Sequence, residues 1–209
     1  MLGIHDYWLF VATGVLLNLT PGQDTFYILG SSMAYGRRGG VASALGIGVG
    51  SIVHTLAAAF GLSAILATSS TAFTVVKLVG AAYLIYLGIR ALISRPAVIP
   101  PPDQPGAART GLAFRRGVLT NVLNPKVALF FLALLPQFID TESPTKIGAF
   151  LALGFTFVAT GTAWCLFLAV AAARIRGFFV KHPGGLANLT RASGALFVLL
   201  GLRLAASER

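Results

Sequence analysis

The sequence predicts an all-α polytopic membrane protein with six transmembrane helices. They form two inverted three-helix repeats, and helices 1 and 4 are broken at proline. Three observations predict this fold: few charges, long apolar segments and a matching interruption in each half of the chain. Of the 209 residues, 56% are hydrophobic and 11% are charged, whereas a soluble domain carries roughly 25% charged residues. Apolar stretches of about 20 residues match the hydrocarbon core of a bilayer. The composition therefore excludes a soluble globular enzyme.

Six apolar segments are candidate spans. The first runs from Tyr7 to about Gly30, and no Lys or Arg precedes it. It lacks the basic start of a cleavable signal peptide, so we expect it to be retained as a span. The other five candidate spans cover roughly 41–67, 71–94, 115–139, 146–172 and 189–206.

The basic residues predict the orientation of the spans. The formal net charge is +10, but no basic run is interleaved with stacking aromatic residues, so no nucleic-acid partner is expected. The basic residues in or beside the odd-numbered loops are Arg37, Arg38, Arg90, Arg95, Arg109, Arg115, Arg116, Arg174, Arg176 and Lys181. Cytoplasmic loops carry the excess of Lys and Arg in membrane proteins. We therefore expect a multi-pass protein of the inner (plasma) membrane with both termini facing outward.

An internal repeat divides the chain, which is expected to be one transmembrane transport domain over residues 1–209. A Pro-rich cytoplasmic loop at about 95–114 separates repeat 1, about 1–94, from repeat 2, about 115–209. Three short similarities occur in the same order in both halves: Gly14–Asn18 with Gly117–Asn121, Ala44–Gly46 with Ala152–Gly154, and Leu87–Arg90 with Leu200–Arg203. With three spans in each half, the second half enters the membrane from the opposite side, as in the inverted repeats of secondary transporters.

Each repeat is interrupted at a proline inside its first span. The first interruption lies in the segment Asn18–Asp24 and the second in Asn121–Lys126. Proline removes a backbone donor and breaks a helix, and paired interruptions point to the binding site of a transporter. The alternative is that each proline only kinks its helix. The expected substrate-binding residues are Asn18, Thr20, Pro21, Gly22, Asp24, Asn121, Asn124, Pro125 and Lys126.

Two ionisable residues of opposite sign accompany the breaks. Asp24 follows the first proline and Lys126 follows the second, and burying either alone costs several kcal/mol. A zwitterionic amino acid needs an anionic partner for its ammonium and cationic or amide partners for its carboxylate. The alternative is a structural ion pair between the halves.

Asp24 is also the first candidate for proton coupling. His54 is the second, with a packed, hydrogen-bonded histidine as the alternative.

Other chemistry is scarce in the sequence. No Walker A pattern, H-E-x-x-H or G-x-S-x-G motif is present, and Cys165 is the one cysteine, so we expect no catalytic residues, no metal site, no cofactor and no intrachain disulfide. Gly46-x-x-x-Gly50 favours close helix packing. We expect this packing within the chain, and packing between the subunits of a homodimer is the alternative.

The chain resembles the LysE/RhtB family of amino-acid exporters. Asn18–Asp24 is similar to the family's N-x-T-P-G-P motif, with Gln23 standing where the family usually has a second proline. Asn124–Lys126, continuing to Leu135–Phe138, resembles the second signature, and Lys77–Leu84 resembles the third-span pattern. The resemblance implies efflux of amino acids or close derivatives from the cytoplasm, driven by the proton gradient.

The sequence therefore predicts a secondary transporter, not an enzyme, that exports an amino acid or related small zwitterion across the inner membrane. Its expected partners are this substrate, protons and the lipid bilayer. Two alternatives stay open: a non-transporting membrane scaffold or assembly protein, and a passive small-solute channel.

Overall fold

The computed structural model describes residues 2–62, 64, 70–93, 110–140, 143–181 and 183–206, and most of this part of the chain is helical. Extended pairing is limited there to one antiparallel bridge, between Ile4 and Ile139. The helices of the described residues are α1 (Tyr7–Leu19), α2 (Gln23–Ala57), α3 (Ser70–Ile93), α4 (Thr110–Val122), α5 (Pro125–Leu129), α6 (Lys146–Lys181) and α7 (Pro183–Ala206). A π-helical turn (Ala58–Leu62) extends α2, and a π-helical turn (Phe130–Leu134) followed by a 3₁₀ turn (Leu135–Phe138) extends α5.

Length and hydropathy mark several of these helices as membrane-spanning candidates. The segments Gln23–Leu62 and Lys146–Ala172 are each long and apolar enough to cross a bilayer. A third candidate joins Thr110–Val122 to Pro125–Phe138, two pieces whose axes are bent by 45°. The prediction of an all-α membrane protein is confirmed.

Gly36 bends the longest helical segment. Gln23–Leu62 contains 40 residues, about 60 Å at the helical rise, which is about twice the thickness of the hydrocarbon core. Gly36 interrupts it with a φ of 68° and a ψ of −173°, a backbone conformation that glycine adopts without steric cost. The sequence predicts a loop here around Arg37 and Arg38. That prediction is wrong in its extent, because helix continues on both sides and the turn is confined to one residue.

One other predicted boundary shifts. The sequence predicts that the fourth span begins at about 115, but α4 begins at Thr110. The predicted fifth span, 146–172, coincides with the apolar segment Lys146–Ala172, and α6 itself continues to Lys181. Polar and basic residues at these ends extend helices beyond the apolar windows. Most of the predicted Pro-rich loop, residues 94–109, lies outside the described residues.

Glycines let α2 and α4 approach closely. Helix α2 packs along α4 and α6, and α3 packs along α7. A Cβ atom on Gly46 would overlap the carbonyl oxygen of Phe114, and one on Gly50 would lie 2.7 Å from Cβ of Asn121. The face that carries Gly46 and Gly50 therefore packs against α4 of the same chain, as expected from the sequence.

Two buried apolar clusters lie at different levels of the bundle. The Phe cluster gathers α1, α6 and the turns after α5, and its largest members are Phe10, Phe130, Phe131, Phe138, Phe150 and Phe157. The aliphatic cluster joins α2 to a later part of α6 and comprises Ile28, Ala44, Ile47, Cys165, Leu168 and Ala169. Along α6, Phe157 belongs to the first cluster and Cys165 to the second. The residues between them occupy an intermediate level.

The segment before α1 covers the end of the α5 extension. The N–H of His5 donates to the carbonyl of Phe138 over 3.1 Å, and the N–H of Asp140 donates to the carbonyl of Gly3 over 2.8 Å. Gly3 has a φ of 68°, and a Cβ there would lie 2.6 Å from Cβ of Ser143. The start of the chain is thus fixed to residues that follow the second broken helix.

Candidate functional site

The first break is a short extended segment between α1 and α2. Helix α1 ends at Leu19, and Thr20 turns into an extended conformation with a ψ of 119°. A residue before proline is disfavoured in the helical region, and Pro21 itself has no N–H to donate. Gly22 is also extended, and α2 begins at Gln23. The predicted interruption is confirmed: Pro21 cannot donate to the carbonyl of Leu17, which accepts from the N–H of Thr20 over 3.2 Å.

The second break is a capped restart of the helix. Helix α4 ends at Val122, and Pro125 is the first residue of α5, a position where proline's missing N–H costs nothing. The side-chain oxygen of Asn124 accepts a hydrogen bond of 3.0 Å from the N–H of Lys126. Asparagine is among the strongest N-cap residues, so Asn124 has a local structural role in addition to its predicted one.

Lys126 connects the second break to the first. Its Nζ donates to the carbonyl of Thr20 over 3.0 Å and to the carbonyl of Leu17 over 3.2 Å. A Cβ on Gly22 would lie 3.2 Å from this Nζ, so a side chain at position 22 would crowd the ammonium. An ammonium has three donors, and these two bonds use two of them.

Asn121, on α4, contacts both ends of α2. It is 1% exposed, and its Nδ2 donates to Oδ2 of Asp24 over 2.9 Å. Its Oδ1 accepts from the hydroxyl of Ser51 over 3.2 Å. Its backbone carbonyl lies 3.0 Å from Nε2 of His54, and since a carbonyl only accepts, this ring nitrogen carries the proton. Asn121 therefore links Asp24, through its side-chain amide, and His54, through its backbone carbonyl, in a single network.

Asp24 and Lys126 are neighbours without a direct ion pair. The two side chains lie within electrostatic range of each other and of Cys165. Among the described residues, an ion-pair contact of 4.0 Å or less occurs between His5 and Asp6, and none joins Asp24 to Lys126. Each charge is held by uncharged groups of the opposite break instead. The structure therefore does not show the direct ion pair that the sequence left open as an alternative.

Three buried polar atoms at the breaks have no hydrogen-bond partner in the described part of the chain. They are Oδ1 of Asp24, Nδ2 of Asn18 and Nδ2 of Asn124. The amide of Asn18 packs against Gly161 of α6, where a Cβ would lie 3.2 Å from both amide heteroatoms. An unsatisfied buried polar group costs about 1–3 kcal/mol, and native proteins contain few of them. One acceptor and two donors are thus left for another molecule.

The breaks bring most of the predicted site residues together. Asn18, Thr20, Gly22, Asp24, Asn121, Asn124 and Lys126 all contribute side chains or backbone groups to the contacts above. Pro21 and Pro125 shape the backbone and offer no polar side-chain atom. His54 joins through Asn121 and stacks on Phe131, with ring centroids 5.9 Å apart. It is therefore a packed, hydrogen-bonded histidine, and a role in proton coupling stays a prediction.

Ser51 was not among the predicted site residues. It lies one helical turn before His54 on the face that also carries Gly50, and this spacing could have identified it. In the described residues, no group of three or more His, Cys, Asp or Glu side chains is placed to hold a metal ion.

The chain belongs to the LysE type translocator family, whose family model matches residues 15–208. It is 34% identical over 207 residues to a homoserine/homoserine lactone efflux protein of Salmonella typhimurium, covering 97% of this chain and 98% of the relative. It is 32% identical over 207 residues to an uncharacterized membrane protein of Vibrio cholerae, covering 98% of each. No solved structure matches the chain.

These relatives confirm the family resemblance seen in the sequence motifs. They agree with the apolar helices in describing a membrane transport protein of the amino-acid export class.

Proposed function

We propose that the protein is a secondary transporter that exports an amino acid or a related small zwitterion across the inner membrane, by proton antiport with alternating access. The observation that carries the proposal is the polar layer formed by the two breaks, in which one carboxylate oxygen and two amide N–H groups are buried and unpartnered. This set matches the two charged ends of an amino acid.

The ammonium of the substrate binds Oδ1 of Asp24. This oxygen is the acceptor left over once Asn121 has bonded to Oδ2, and a carboxylate compensates the charge of the ammonium in a setting that excludes water. The other carboxylate oxygen stays bonded to Asn121, which holds the acceptor in place.

The carboxylate of the substrate binds the opposite side of the layer. Lys126 has one ammonium proton beyond its bonds to the carbonyls of Leu17 and Thr20. The side-chain amides of Asn18 and Asn124 supply further donors. Hydrogen bonds to charged groups are the stronger kind, so this arrangement favours a zwitterion over a neutral solute.

Matching glycine contacts support an inverted repeat of six spans. Gly14 and Gly117 occupy equivalent positions in the two halves. Gly14 packs on Phe157 of α6, in the fifth span, and Gly117 packs on Ser43 of α2, in the second. Likewise Gly88 of α3 packs on α7, and Gly201 of α7 packs on α3. In this arrangement Gly36 separates the first span from the second.

The layering supports alternating access. The polar layer lies between the Phe cluster and the aliphatic cluster: along α6, Phe157 belongs to the first, Gly161 contacts Asn18, and Cys165 belongs to the second. Opening one cluster at a time would expose the layer to one side of the membrane at a time. The unwound breaks supply backbone that can bend for this purpose.

Competition for Asp24 explains the proton coupling. The oxygen that accepts the ammonium is also the site where a proton binds, so a protonated Asp24 and a bound substrate exclude each other. His54 bonds to the backbone carbonyl of Asn121, whose side chain holds this carboxylate, so a change in the charge of His54 would act on Asp24 at short range. An antiporter needs such mutually exclusive binding of its two partners.

Transport into inside-out vesicles tests the proposal. The named efflux relatives make radiolabelled homoserine the first probe, followed by a panel of amino acids. We expect accumulation against a concentration gradient when the vesicle interior is acidic, and loss of accumulation when an ionophore collapses the pH gradient and the membrane potential. A passive channel would equilibrate the probe without accumulating it, and a scaffold would not move it. Accumulation unchanged by the ionophore would refute proton antiport.

A further inference from the structure

We infer that Trp164 contacts the substrate directly, and that its indole N–H donates a hydrogen bond to an oxygen atom on the substrate's side chain. The inference rests on the proposed function. It assigns a specificity-determining residue that neither the two broken helices nor their motifs contain, and it defines the substrate class as amino acids with a hydroxyl or carbonyl oxygen beyond the α-carbon.

The position of Trp164 along α6 places it beside the polar layer. Gly161, one helical turn earlier, contacts the amide of Asn18. Cys165, which follows Trp164 in the sequence, lies close enough to Asp24 and Lys126 to interact with them electrostatically. Residues three or four apart share a helix face, so Trp164 follows Gly161 on the side of α6 that meets the breaks.

Trp164 also packs against residues of α2, at the border between the polar layer and the aliphatic cluster. It packs on the aliphatic cluster that contains Ile28, and Ile28 lies one helical turn after Asp24. The ring also stacks on Phe167, with centroids 5.4 Å apart and an interplanar angle of 28°. These contacts hold the indole against the aliphatic cluster.

The indole nitrogen needs an acceptor. Nε1 of Trp164 is the fourth buried side-chain atom of the described residues without a hydrogen-bond partner, beside the three at the breaks. An indole N–H can only donate, and a buried tryptophan N–H normally finds a partner. Apolar packing alone does not require this N–H, because an apolar side chain would make such contacts without burying an unpaired donor.

The other three atoms match the two ends of an amino acid, and Trp164 matches what remains. The free acceptor on Asp24 suits the ammonium, and the amides of Asn18 and Asn124 suit the carboxylate. A further donor on the α6 side is then complementary to an oxygen elsewhere in the substrate. A site built to hydrogen-bond such an oxygen discriminates strongly against an analogue that lacks it, because the donor is then left unpaired.

The test compares two probes that differ by one hydroxyl group in two tryptophan variants. The probes are radiolabelled homoserine and 2-aminobutyrate, which has the same carbon chain without the hydroxyl. The chain has two tryptophans, so Trp8→Phe is the matched control for Trp164→Phe; Trp8 is 77% exposed. We expect Trp164→Phe to raise the KM for homoserine about 3- to 10-fold, the value of one hydrogen bond, and to leave the KM for 2-aminobutyrate unchanged. Trp8→Phe should change neither.

Three results would overturn the inference. An equal change of KM for both probes would mean that Trp164 acts through packing. Unchanged KM values for both would mean that the indole N–H does not meet the substrate, and a wild-type KM that is equal for the two probes would mean that the side-chain oxygen is not recognised. Absence of transport of every amino acid in the panel by the wild-type protein would instead refute the proposed function.

Fluorescence gives an independent measurement. In the Trp8→Phe variant, Trp164 is the remaining tryptophan, and a donor that engages an oxygen on binding should change its emission. We expect a saturable change on titration with homoserine. A flat titration over the concentration range in which the same protein transports homoserine would contradict direct contact.

Discussion

Asn121 donates a hydrogen bond of 2.9 Å from its side-chain amide to the carboxylate of Asp24, across a sequence separation of 97 residues. The bond joins the start of α2, just after the first break, to the end of α4, just before the second. Asn121 is almost completely buried and also accepts from Ser51, so both functional groups of its amide are in use. The amide thereby fixes which oxygen of Asp24 is left for a ligand.

Replacing Asn121 should therefore impair both stability and transport. Asn121→Ala leaves the hydroxyl of Ser51 and an oxygen of Asp24 without their partner, and we expect a loss of about 1–3 kcal/mol in the free energy of unfolding. Transport should fall at least tenfold in vesicles that contain equal amounts of protein. Asn188→Ala, on an exposed position of α7, is the control. An Asn121→Ala protein with wild-type transport would show that the network is dispensable.

Asp24→Asn should abolish accumulation of substrate while the protein still reaches the membrane. The amide keeps the size of the side chain but cannot carry the charge that compensates an ammonium or binds a proton. Because hydrogen bonds to charged groups contribute about 1.5–3 kcal/mol, we expect at least a tenfold loss of transport. Asp6→Asn changes a side chain that is 61% exposed and should transport normally. The measurement is initial rate of uptake per unit of membrane protein, and normal uptake by Asp24→Asn would place the site elsewhere.

Lys126→Ala should abolish transport for a different reason. It removes the charge that we propose faces the substrate's carboxylate. It also leaves the carbonyl of Thr20 without its Lys126 donor, and the carbonyl of Leu17 with only the N–H of Thr20. We expect lower thermal stability in detergent in addition to lost transport. Lys146→Ala, at the start of α6, removes a lysine outside the breaks and is the control. If the Lys126→Ala protein were less stable but exported the substrate normally, Lys126 would only stabilise the first break.

A methyl group at Gly46 should disrupt the packing of α2 on α4. In Gly46→Ala the new Cβ meets the carbonyl oxygen of Phe114, a backbone atom that cannot rotate away, and such overpacking typically costs 1–3 kcal/mol. Gly30→Ala is the matched control on the same helix, because nothing lies within 4 Å of its Cβ. Thermal unfolding in detergent checks the pair: Gly46→Ala should lower the midpoint, and Gly30→Ala should leave it equal or raise it slightly. Equal midpoints would contradict close packing at Gly46.

The breaks were predictable from sequence because their cause is local. Proline determines the interruption wherever it occurs inside an apolar segment, so Pro21 and Pro125 are sufficient to locate both. The pairing of side chains across the breaks was not predictable in the same way. The opposite charges left a direct ion pair between Asp24 and Lys126 open as an alternative. In the structure Lys126 instead bonds to backbone carbonyls at the end of α1, and no sequence pattern reports such distances.

The predicted loop between the first two spans was wrong in its extent because a single residue determines the backbone geometry there. The charges of Arg37 and Arg38 suggested a loop, but exposed arginine is a good helix former, and the positive φ of Gly36 turns the chain within a single residue. Trp164 lies outside both breaks and their motifs. Its unpartnered nitrogen depends on the three-dimensional packing of α6 and could not be inferred from the sequence.

The bridge between Ile4 and Ile139 has a consequence for the order of assembly. The residues that hold the start of the chain are synthesised only after the first four candidate spans, so the bonds from Gly3 and His5 to Asp140 and Phe138 form late. Until then the N-terminal segment lacks these hydrogen bonds. Its docking therefore reports that the second broken helix has been inserted in the correct orientation, and a crosslink between positions 4 and 139 would capture only chains that have completed this step.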